Sequence, residues 1–235
     1  MQYLGGKGRI ADEILGVMLP ARGDRVWVEP FVGAGNVIHL VPGSRIGNDK
    51  DADLVELLAA VGRGYVPPHE VSFEMYQDVK NFPEKYPPEL RAFVSFGCSF
   101  SGKKWGGYAR KEAGSLLPQP YAKNSSDRLV RMAPGFVAVD WRSGHYQDAV
   151  KSVDGPALVY CDPPYAGTTK YKSGAFDSDT FWGWCETLPW LGHKVYVSEY
   201  AAPAKWRCVW EKELKVHLNG SVGQRRTEKL FTYDP

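Results

Sequence analysis

"VWVEPFVGAGN", residues 26–36, decides the fold of this chain. Its apolar beginning predicts a buried strand over 26–31, and the glycine turn "VGAG" leads into a short helix from Asn36. "SRIGND", residues 44–49, predicts a second strand, and residues 50–64 place apolar side chains on one helical face. The order strand, glycine turn, helix, strand, helix is typical of the start of a doubly wound α/β sheet.

The rest of the chain returns to this pattern only after an interruption. Residues 66–133 show no regular alternation of strand and helix, although 87–100 favours a helix and 101–115 a glycine-rich loop or hairpin. After the interruption we expect strands at 135–141, 157–165 and 194–200, a helix at 178–191, and an antiparallel pair at 206–218 and 228–234. The sequence therefore predicts one α/β domain formed by residues 1–65 and 134–235, interrupted by an insertion at 66–133.

The composition is that of an ordinary globular protein without a membrane or metal signature. The chain has 235 residues, 43% of them hydrophobic, and a formal net charge of +2. Its four cysteines and five histidines form no metal-ligand spacing, so we expect reduced thiols, a cytoplasmic location and no metal. We expect no membrane association, because no apolar run approaches ~18 residues and no signal peptide is evident.

The glycine turn predicts a ligand that carries a nucleoside. Gly33 and Gly35 allow a ligand to approach the backbone closely at the start of a helix. A dinucleotide fingerprint would require a third glycine where Ile38 stands, and the carboxylate of Glu29 would repel a diphosphate. Asp49 ends the next strand, where an acid typically accepts hydrogen bonds from ribose hydroxyls. An ordinary tight turn is the alternative interpretation.

"DPPY", residues 162–165, follows an apolar run and forms a stiff elbow, because two prolines fix two φ angles. The Asp162 carboxylate and the Pro163 carbonyl can accept the two hydrogens of an exocyclic amine, whose lone pair is then directed at an electrophile. Tyr165 can stack on a nucleobase that has been extruded from a duplex. S-adenosylmethionine would be a suitable electrophile, since its sulfonium is cationic and its adenosine requires a ribose acid. A structural turn with a buried tyrosine is the alternative.

Four motifs together resemble the D12 class of DNA adenine-N6 methyltransferases, the Dam-like group. They are "YLGGKGR" (3–9), "EPFVGAG" (29–35), "DPPY" (162–165) and "GQRRTEKLFTY" (223–233). Their order, with the cofactor motif first, a recognition insertion next and the catalytic motif last, is also that of the family. The resemblance covers about 1–62 and 134–235, whereas the insertion matches only loosely.

The resemblance implies a Rossmann-like fold of S-adenosylmethionine-dependent methyltransferases with an inserted target-recognition domain, and it implies roles for individual residues. The N-terminal motif and the glycine turn would bind the cofactor, Asp49 its ribose, and Asp140 would lie near its adenine. The catalytic residues would be Asp162, Pro163, Pro164 and Tyr165. The residues implied in cofactor binding are Tyr3, Gly6, Lys7, Glu29, Phe31, Gly33, Gly35, Asp49, Asp140 and Asp162. Trp141 would either flank the adenine or belong to the core.

The insertion carries a local positive charge that predicts contact with DNA. Between residues 95 and 131, seven basic side chains oppose two acidic ones, and aromatic residues lie among them. Phosphate contacts from such a segment provide affinity for double-stranded DNA. The predicted DNA contacts are Lys103, Lys104, Arg110, Lys111 and Arg128. A solvated basic loop is the alternative, and no obligatory protein partner is inferred.

Three other functions remain open at this point. A cytosine-N4 methyltransferase uses the same amine chemistry but more often has serine at the first elbow position, so Asp162 favours adenine. A catalytically inactive DNA-binding relative would keep the fold, although the intact elbow, turn and ribose acid argue against it. A nicotinamide-dependent oxidoreductase is disfavoured by Ile38.

Overall fold

The computed structural model describes residues 1, 3–109, 120–151, 153–165, 176–216 and 224–235. Seven strands form one sheet in the order β3-β2-β1-β4-β5-β7-β6. The strands are β1 (Val26–Glu29), β2 (Arg45–Asp49), β3 (Val139–Ser143), β4 (Ala157–Cys161), β5 (Lys194–Glu199), β6 (Arg207–Val216) and β7 (Gln224–Thr232). The pairs β2–β3, β1–β4 and β4–β5 are parallel, and β7 is antiparallel to both β5 and β6. This confirms the predicted mostly parallel α/β sheet with a closing antiparallel hairpin.

Seven α-helices accompany these strands in the described part of the chain. They are α1 (Ala11–Arg22), α2 (Ala52–Gly62), α3 (Phe73–Asn81), α4 (Pro88–Ala92), α5 (Tyr121–Met132), α6 (Asp148–Lys151) and α7 (Ser178–Thr187). None of the helices in the described ranges is long and apolar enough to cross a membrane.

Contacts group the chain into two compact units. The first unit contains Met1–Ala11 and Val32–His145. Its central helix α2 begins after Asp51, whose carboxylate accepts a hydrogen bond from the Leu54 N–H at 3.3 Å. The apolar side chains of α2 are buried, and the helix packs on α4 and on β3. The helix expected within residues 50–64 is thus confirmed, and it ends at Gly62 as predicted.

The insertion at 66–133 is helical and belongs to this first unit. The expected helix within 87–100 is present as α4, which continues into a π turn at Phe93–Gly97. Helices α3 and α5 were not predicted, because polar residues dominate both and few positions in either helix are buried. Helix α4 of the insertion packs on α2, and contacts group both helices into the same compact unit. A separate recognition domain at 66–133 therefore stays a prediction.

The second unit contains Asp12–Phe31 and Tyr146–Pro235. It holds β1, β4, β5, β6 and β7, with α6 and α7. All five residues of β4 are buried, as expected for a central strand of a parallel sheet. The Tyr160 hydroxyl on β4 and the Ser198 hydroxyl on β5 lie 2.9 Å apart, which links the two strands inside the core.

Several strand boundaries differ from the sequence prediction for identifiable reasons. β1 ends at Glu29 rather than at 31, because Pro30 has no N–H to continue the ladder. β3 begins at Val139 rather than at 135, because Ala133–Phe136 form a short 3-10 helix with a proline in its first turn. β7 begins at Gln224 rather than at 228, so Arg225 and Arg226 lie on the strand.

Candidate active site

In the first unit, the glycine turn is closed by backbone hydrogen bonds to the end of β2. The Gly33 N–H donates to Asp49 Oδ2 at 3.0 Å, and the Val32 N–H donates to the Asn48 carbonyl at 2.8 Å. Gly33 has a φ of +50°, and a Cβ at this position would lie 2.9 Å from Cε1 of Tyr3. Both the left-handed backbone and the close ring therefore require glycine at position 33.

Asp49 is the last residue of β2, and its carboxylate is held by main-chain donors. Oδ1 accepts a hydrogen bond from the Asp51 N–H at 3.0 Å, in addition to the bond from Gly33. Burial raises the pKa of Asp49 to about 6, even though these two N–H groups and the Lys104 ammonium lower it. Asp49 is therefore mostly ionised at neutral pH and can accept hydrogen bonds from hydroxyl groups of a ligand.

The N-terminal motif lies against this turn within the first unit. The Tyr3 ring packs on Phe96 with 5.3 Å between ring centroids and also covers Gly33. The Lys7 side chain is only 5% exposed, and its ammonium donates to the Gly5 carbonyl at 3.0 Å. A Cβ at Gly6 would lie 2.7 Å from the side-chain nitrogen of Asn36. The structure thus brings Tyr3, Gly6, Lys7, Gly33, Gly35 and Asp49 into one neighbourhood, as predicted from sequence.

Asp140 does not reach this neighbourhood. In the β2–β3 register, Asp49 pairs with Ser143, whereas Asp140 pairs with Ile46, three positions earlier. At ~3.3 Å per residue this separates Asp140 from the strand end by ~10 Å. Its side chain is 54% exposed and forms an ion pair with Arg142 at 2.6 Å. The predicted role of Asp140 near the cofactor's adenine stays a prediction, and Ser143 is the β3 residue that pairs with Asp49.

Trp141 is half-buried and packs against other residues of the first unit. A Cβ on Gly47 would lie 2.6 Å from Cζ3 of the indole, and the Phe136 ring centroid is 5.7 Å from that of Trp141. Its predicted position beside the cofactor's adenine stays a prediction. At the end of β2, the Gly144 N–H donates to the Asp49 carbonyl at 3.0 Å.

In the second unit, Glu29 ends β1 and Phe31 lies just after it, in different surroundings. Glu29 is 3% exposed, and its Oε1 accepts a hydrogen bond from the Trp27 indole N–H at 2.8 Å. Phe31 stacks on Tyr146, with 5.1 Å between centroids, and meets Phe181 edge-on at 5.7 Å. Phe31 is thus part of an aromatic cluster, and its predicted contact with a cofactor stays a prediction.

The elbow Asp162–Pro163–Pro164–Tyr165 follows the buried strand β4 directly. Asp162 and Tyr165 are half-buried, and Pro163 is buried. The Tyr165 hydroxyl donates to Oε2 of Glu228 at 2.7 Å, and its ring meets the Tyr200 ring edge-on with 4.5 Å between centroids. Burial, together with the nearby carboxylates of Asp162 and Glu228, raises the pKa of Tyr165, so its hydroxyl stays protonated.

Sequence reasoning missed Glu228 and Tyr200 as neighbours of the elbow. Tyr200 follows β5, and its hydroxyl accepts a hydrogen bond from Arg226 at 3.2 Å. Arg226 and Glu228 lie two residues apart on β7, so their side chains project from the same face of the strand. The motif "GQRRTEKLFTY" contains both residues and was the available signal, but only the pairing of β7 with β5 reveals their position.

The described part of the basic segment forms a short hairpin over residues 99–108, one of the two forms expected for residues 101–115. Ser99 and Tyr108 form an antiparallel bridge, and the Phe100 N–H donates to the Gly107 carbonyl at 2.8 Å. Tyr108 donates its hydroxyl hydrogen to the Val71 carbonyl at 2.6 Å, which anchors the hairpin base. Lys103 is exposed on this hairpin, and the Phe100 side chain is 51% exposed.

The other predicted DNA contacts differ from Lys103. Lys104 forms an ion pair with Asp51, the residue that caps α2. Arg128 is half-buried and donates to Oδ1 of Asn36 at 2.8 Å, so it supports the glycine turn from within the first unit. Arg110 and Lys111 lie outside the described residues. Among the predicted contacts that the structure describes, Lys103 is therefore an exposed candidate for a phosphate contact.

Comparison with known proteins identifies relatives over the whole chain. Residues 3–86 match the family model of D12 class N6 adenine-specific DNA methyltransferases. The full chain is 24% identical, over 270 aligned residues and 95% of the relative, to the DNA adenine methylase of Escherichia coli strain K12. The DNA adenine methylase of Escherichia coli O157:H7 gives the same values. The match to the family model includes the N-terminal motif, the glycine turn and Asp49, but it ends before the elbow.

Two solved structures are also similar to this chain. One is the rRNA methyltransferase aviRa from Streptomyces viridochromogenes, with 15% identity, a TM-score of 0.42, and coverage of 96% of this chain and 84% of that one. The other is a putative methyltransferase complexed with SAH, with 13% identity, a TM-score of 0.38, and coverage of 99% and 54%.

Proposed function

We propose that this chain is a D12 class N6 adenine-specific DNA methyltransferase, which transfers a methyl group from S-adenosylmethionine to the N6 amine of a flipped-out adenine in DNA. The observation that carries this proposal is the Asp162–Tyr165 elbow at the end of the buried strand β4. The match of residues 3–86 to the family model and the full-length similarity to DNA adenine methylases support it.

The first unit supplies groups that suit the adenosine part of the cofactor. The Asp49 carboxylate can accept hydrogen bonds from ribose hydroxyls, and its two main-chain donors fix its orientation. Gly33 and Gly35, both at positive φ, let the Tyr3 and Phe136 rings pack directly against the turn, which fixes its backbone beside Asp49. An acid at the end of the second strand beside a glycine turn is the arrangement in which related α/β folds bind a ribose.

The elbow supplies the groups that would orient the target amine. The Asp162 carboxylate and the Pro163 carbonyl would each accept one hydrogen from the adenine N6 amine. With both hydrogens held, the nitrogen lone pair is directed away from the ring and toward the methyl group. When bound, S-adenosylmethionine supplies that methyl group as an electrophile. Orientation of this kind provides much of the rate in reactions between two bound molecules.

Tyr165 would supply an aromatic face for the extruded adenine. Enzymes that modify a base inside a duplex must remove it from the stack, and stacking in the pocket compensates for part of that loss. The Tyr165 hydroxyl is held by Glu228 and its ring packs edge-to-face with Tyr200, so the ring has a fixed orientation. Tyr165 therefore acts in base binding, while Asp162 and Pro163 act on the reacting amine.

The hairpin at 99–108 would contact double-stranded DNA. Lys103 is exposed there and can neutralise a phosphate, and the exposed Phe100 lies on the same hairpin. We also place the protein in the cytoplasm, because all four cysteines are free thiols and three of them are buried. No obligatory protein partner is inferred.

Nucleoside mass spectrometry tests the proposed reaction. DNA is incubated with purified protein and S-adenosylmethionine carrying a labelled methyl group, and is then digested to nucleosides. Labelled N6-methyl-2′-deoxyadenosine is the expected product. Labelled N4-methyl-2′-deoxycytidine would show that cytosine is the target base, and the absence of any labelled nucleoside would favour a DNA-binding relative without activity.

A further inference from the structure

We propose that Glu228 is a positioning residue that holds the Tyr165 ring in the orientation required for base stacking. This inference rests on the proposed function and assigns a role to a residue outside the catalytic elbow. Its basis is the hydrogen bond from the Tyr165 hydroxyl to Glu228 Oε2 at 2.7 Å. Glu228 lies 63 positions after Tyr165 in the chain, on a different strand.

The Tyr165 ring is held at two points rather than one. Its hydroxyl is fixed by Glu228, and its ring meets the Tyr200 ring edge-to-face, with 4.5 Å between centroids and an interplanar angle of 85°. An edge-to-face contact covers at most one face of either ring, so it leaves one face of Tyr165 uncovered by Tyr200. The two contacts together restrict both torsions of the Tyr165 side chain.

Tyr200 is itself fixed by the same strand that carries Glu228. The Arg226 guanidinium donates to the Tyr200 hydroxyl at 3.2 Å and lies 5.6 Å from the ring centroid. The Tyr200 N–H donates to Glu199 Oε1 at 2.8 Å. Two side chains of β7 thus hold Tyr165. Glu228 contacts it directly, and Arg226 holds Tyr200, which packs against it.

The sheet register explains why this support is rigid. Glu199 pairs with Lys229 across β5 and β7, and Lys212 pairs with Glu228 across β6 and β7. Glu228 therefore lies inside the antiparallel ladder, next to the end of β5 where Tyr200 begins the following segment. A ladder position fixes the backbone of Glu228, so only its side-chain torsions remain to be ordered.

A fixed ring should matter for turnover more than for binding of the cofactor. Ordering a side chain during binding typically costs about 0.5–1.5 kcal/mol, which corresponds to roughly a threefold to tenfold change in an equilibrium. If Glu228 holds the Tyr165 ring in advance, the extruded adenine does not have to order it. Loss of this contact should then reduce the fraction of bound adenine that is aligned for reaction.

Steady-state kinetics of Glu228→Ala, Tyr165→Phe and the double variant test the proposal. Tyr165→Phe removes only the hydroxyl, so it breaks the same contact without altering β7. Each single variant should lower kcat about threefold to tenfold, and the double variant should lower it no further. KM for S-adenosylmethionine should stay within twofold of wild type in all three variants. Glu228→Gln, which keeps an acceptor oxygen, should restore kcat to within twofold of wild type.

Glu213→Gln is the matched control. Glu213 is an acid on β6, and it forms an ion pair at 3.0 Å with Arg225 of β7. This variant should leave kcat unchanged. Additive losses in the double variant, or kcat of Tyr165→Phe within twofold of wild type, would overturn the positioning role. Wild-type protein that methylates no DNA would overturn the proposed function itself, so the two failures are distinguishable.

Discussion

The carboxylate at the end of β2 and the elbow that follows β4 are held in different ways. Asp49 receives hydrogen bonds from the backbone N–H groups of Gly33 and Asp51, which lie 16 and 2 positions away in sequence. Tyr165 of the elbow is held by the side chains of Glu228 and Tyr200. The first arrangement depends on backbone conformation, and the second depends on side chains brought together from separate strands.

This difference predicts how each site fails. A site built from backbone donors should tolerate most side-chain changes around it, but it should be sensitive to any change that alters the turn. A site built from side chains should lose function in steps, as individual groups are removed. The following experiments test this contrast, beginning with the largest expected effect.

Removal of the elbow carboxylate should have the largest effect. Asp162→Ala should lower the rate of methyl transfer about 10²–10³-fold, the usual loss when one preorganised electrostatic partner is removed. Single-turnover kinetics with saturating DNA and cofactor measure this directly. DNA binding and the unfolding midpoint should match wild type. A variant that retains more than a tenth of wild-type turnover would show that the elbow is structural.

The pH dependence of cofactor binding should report on Asp49. Burial raises the pKa of this carboxyl from 3.8 to about 6, and ribose hydroxyls require its ionised form. Affinity for S-adenosylmethionine should therefore be constant above pH ~7 and fall by up to about tenfold per pH unit below 6. Folding responds with the opposite sign: the raised pKa stabilises the folded protein below pH 3.8, and this contribution is lost as pH rises through 6.

Calorimetry between pH 5 and pH 8 measures this dependence, and Asp49→Asn is the matched variant. It should bind the cofactor more weakly at neutral pH and show no loss of affinity between pH 7 and pH 5. Lys104→Ala should move the midpoint to higher pH, because the Lys104 ammonium lowers the pKa of Asp49. A wild-type affinity that does not change with pH would contradict the role of Asp49.

The glycine turn should fail through its backbone. Gly33→Ala forces a residue with a Cβ into a φ of +50° and places that atom 2.9 Å from Tyr3. We expect a loss of about 1–2 kcal/mol from the left-handed conformation and a further loss from the contact with Tyr3. Gly23→Ala is the control, since its φ is +56° but the nearest atom is 3.8 Å away.

Denaturant unfolding of both glycine variants separates strain from crowding. Gly23→Ala should lose only the conformational part and keep cofactor affinity. Gly33→Ala should be less stable than Gly23→Ala and should bind S-adenosylmethionine more weakly. Equal stability losses with unchanged affinity would show that the turn does not border the cofactor.

The smallest effect concerns the hairpin at 99–108. Lys103→Ala should lower the salt slope of DNA binding by about 1 unit, with an equal effect on all sequences. Lys104→Ala should change the slope less, because Lys104 is paired with Asp51. Lys151→Ala is the control, an exposed lysine of the second unit. Equal salt slopes of DNA binding for Lys103→Ala and wild type would show that the DNA surface lies elsewhere. Arg225 and Arg226 on β7 would then be tested next.

The sequence by itself determined the elements that depend on local pattern. The apolar run of β4, the capped helix α2 and the glycine turn before Asp49 all lie where their residues predict them. These features depend on hydrophobic periodicity and on conformations that only glycine or proline adopts readily. The four motifs indicated the resemblance to the D12 class for the same reason, because each is a short contiguous stretch.

Only the tertiary structure decided which distant side chains meet. The register of β2 and β3 places Ser143 rather than Asp140 opposite Asp49, and no local pattern encodes that alignment. The pairing of β5 with β7 brings Tyr200 and Glu228 to Tyr165, and packing in the first unit gives Arg128 and Lys104 internal partners. A basic side chain looks the same in a sequence whether it faces DNA or a neighbouring acid, because its partner is chosen by the fold.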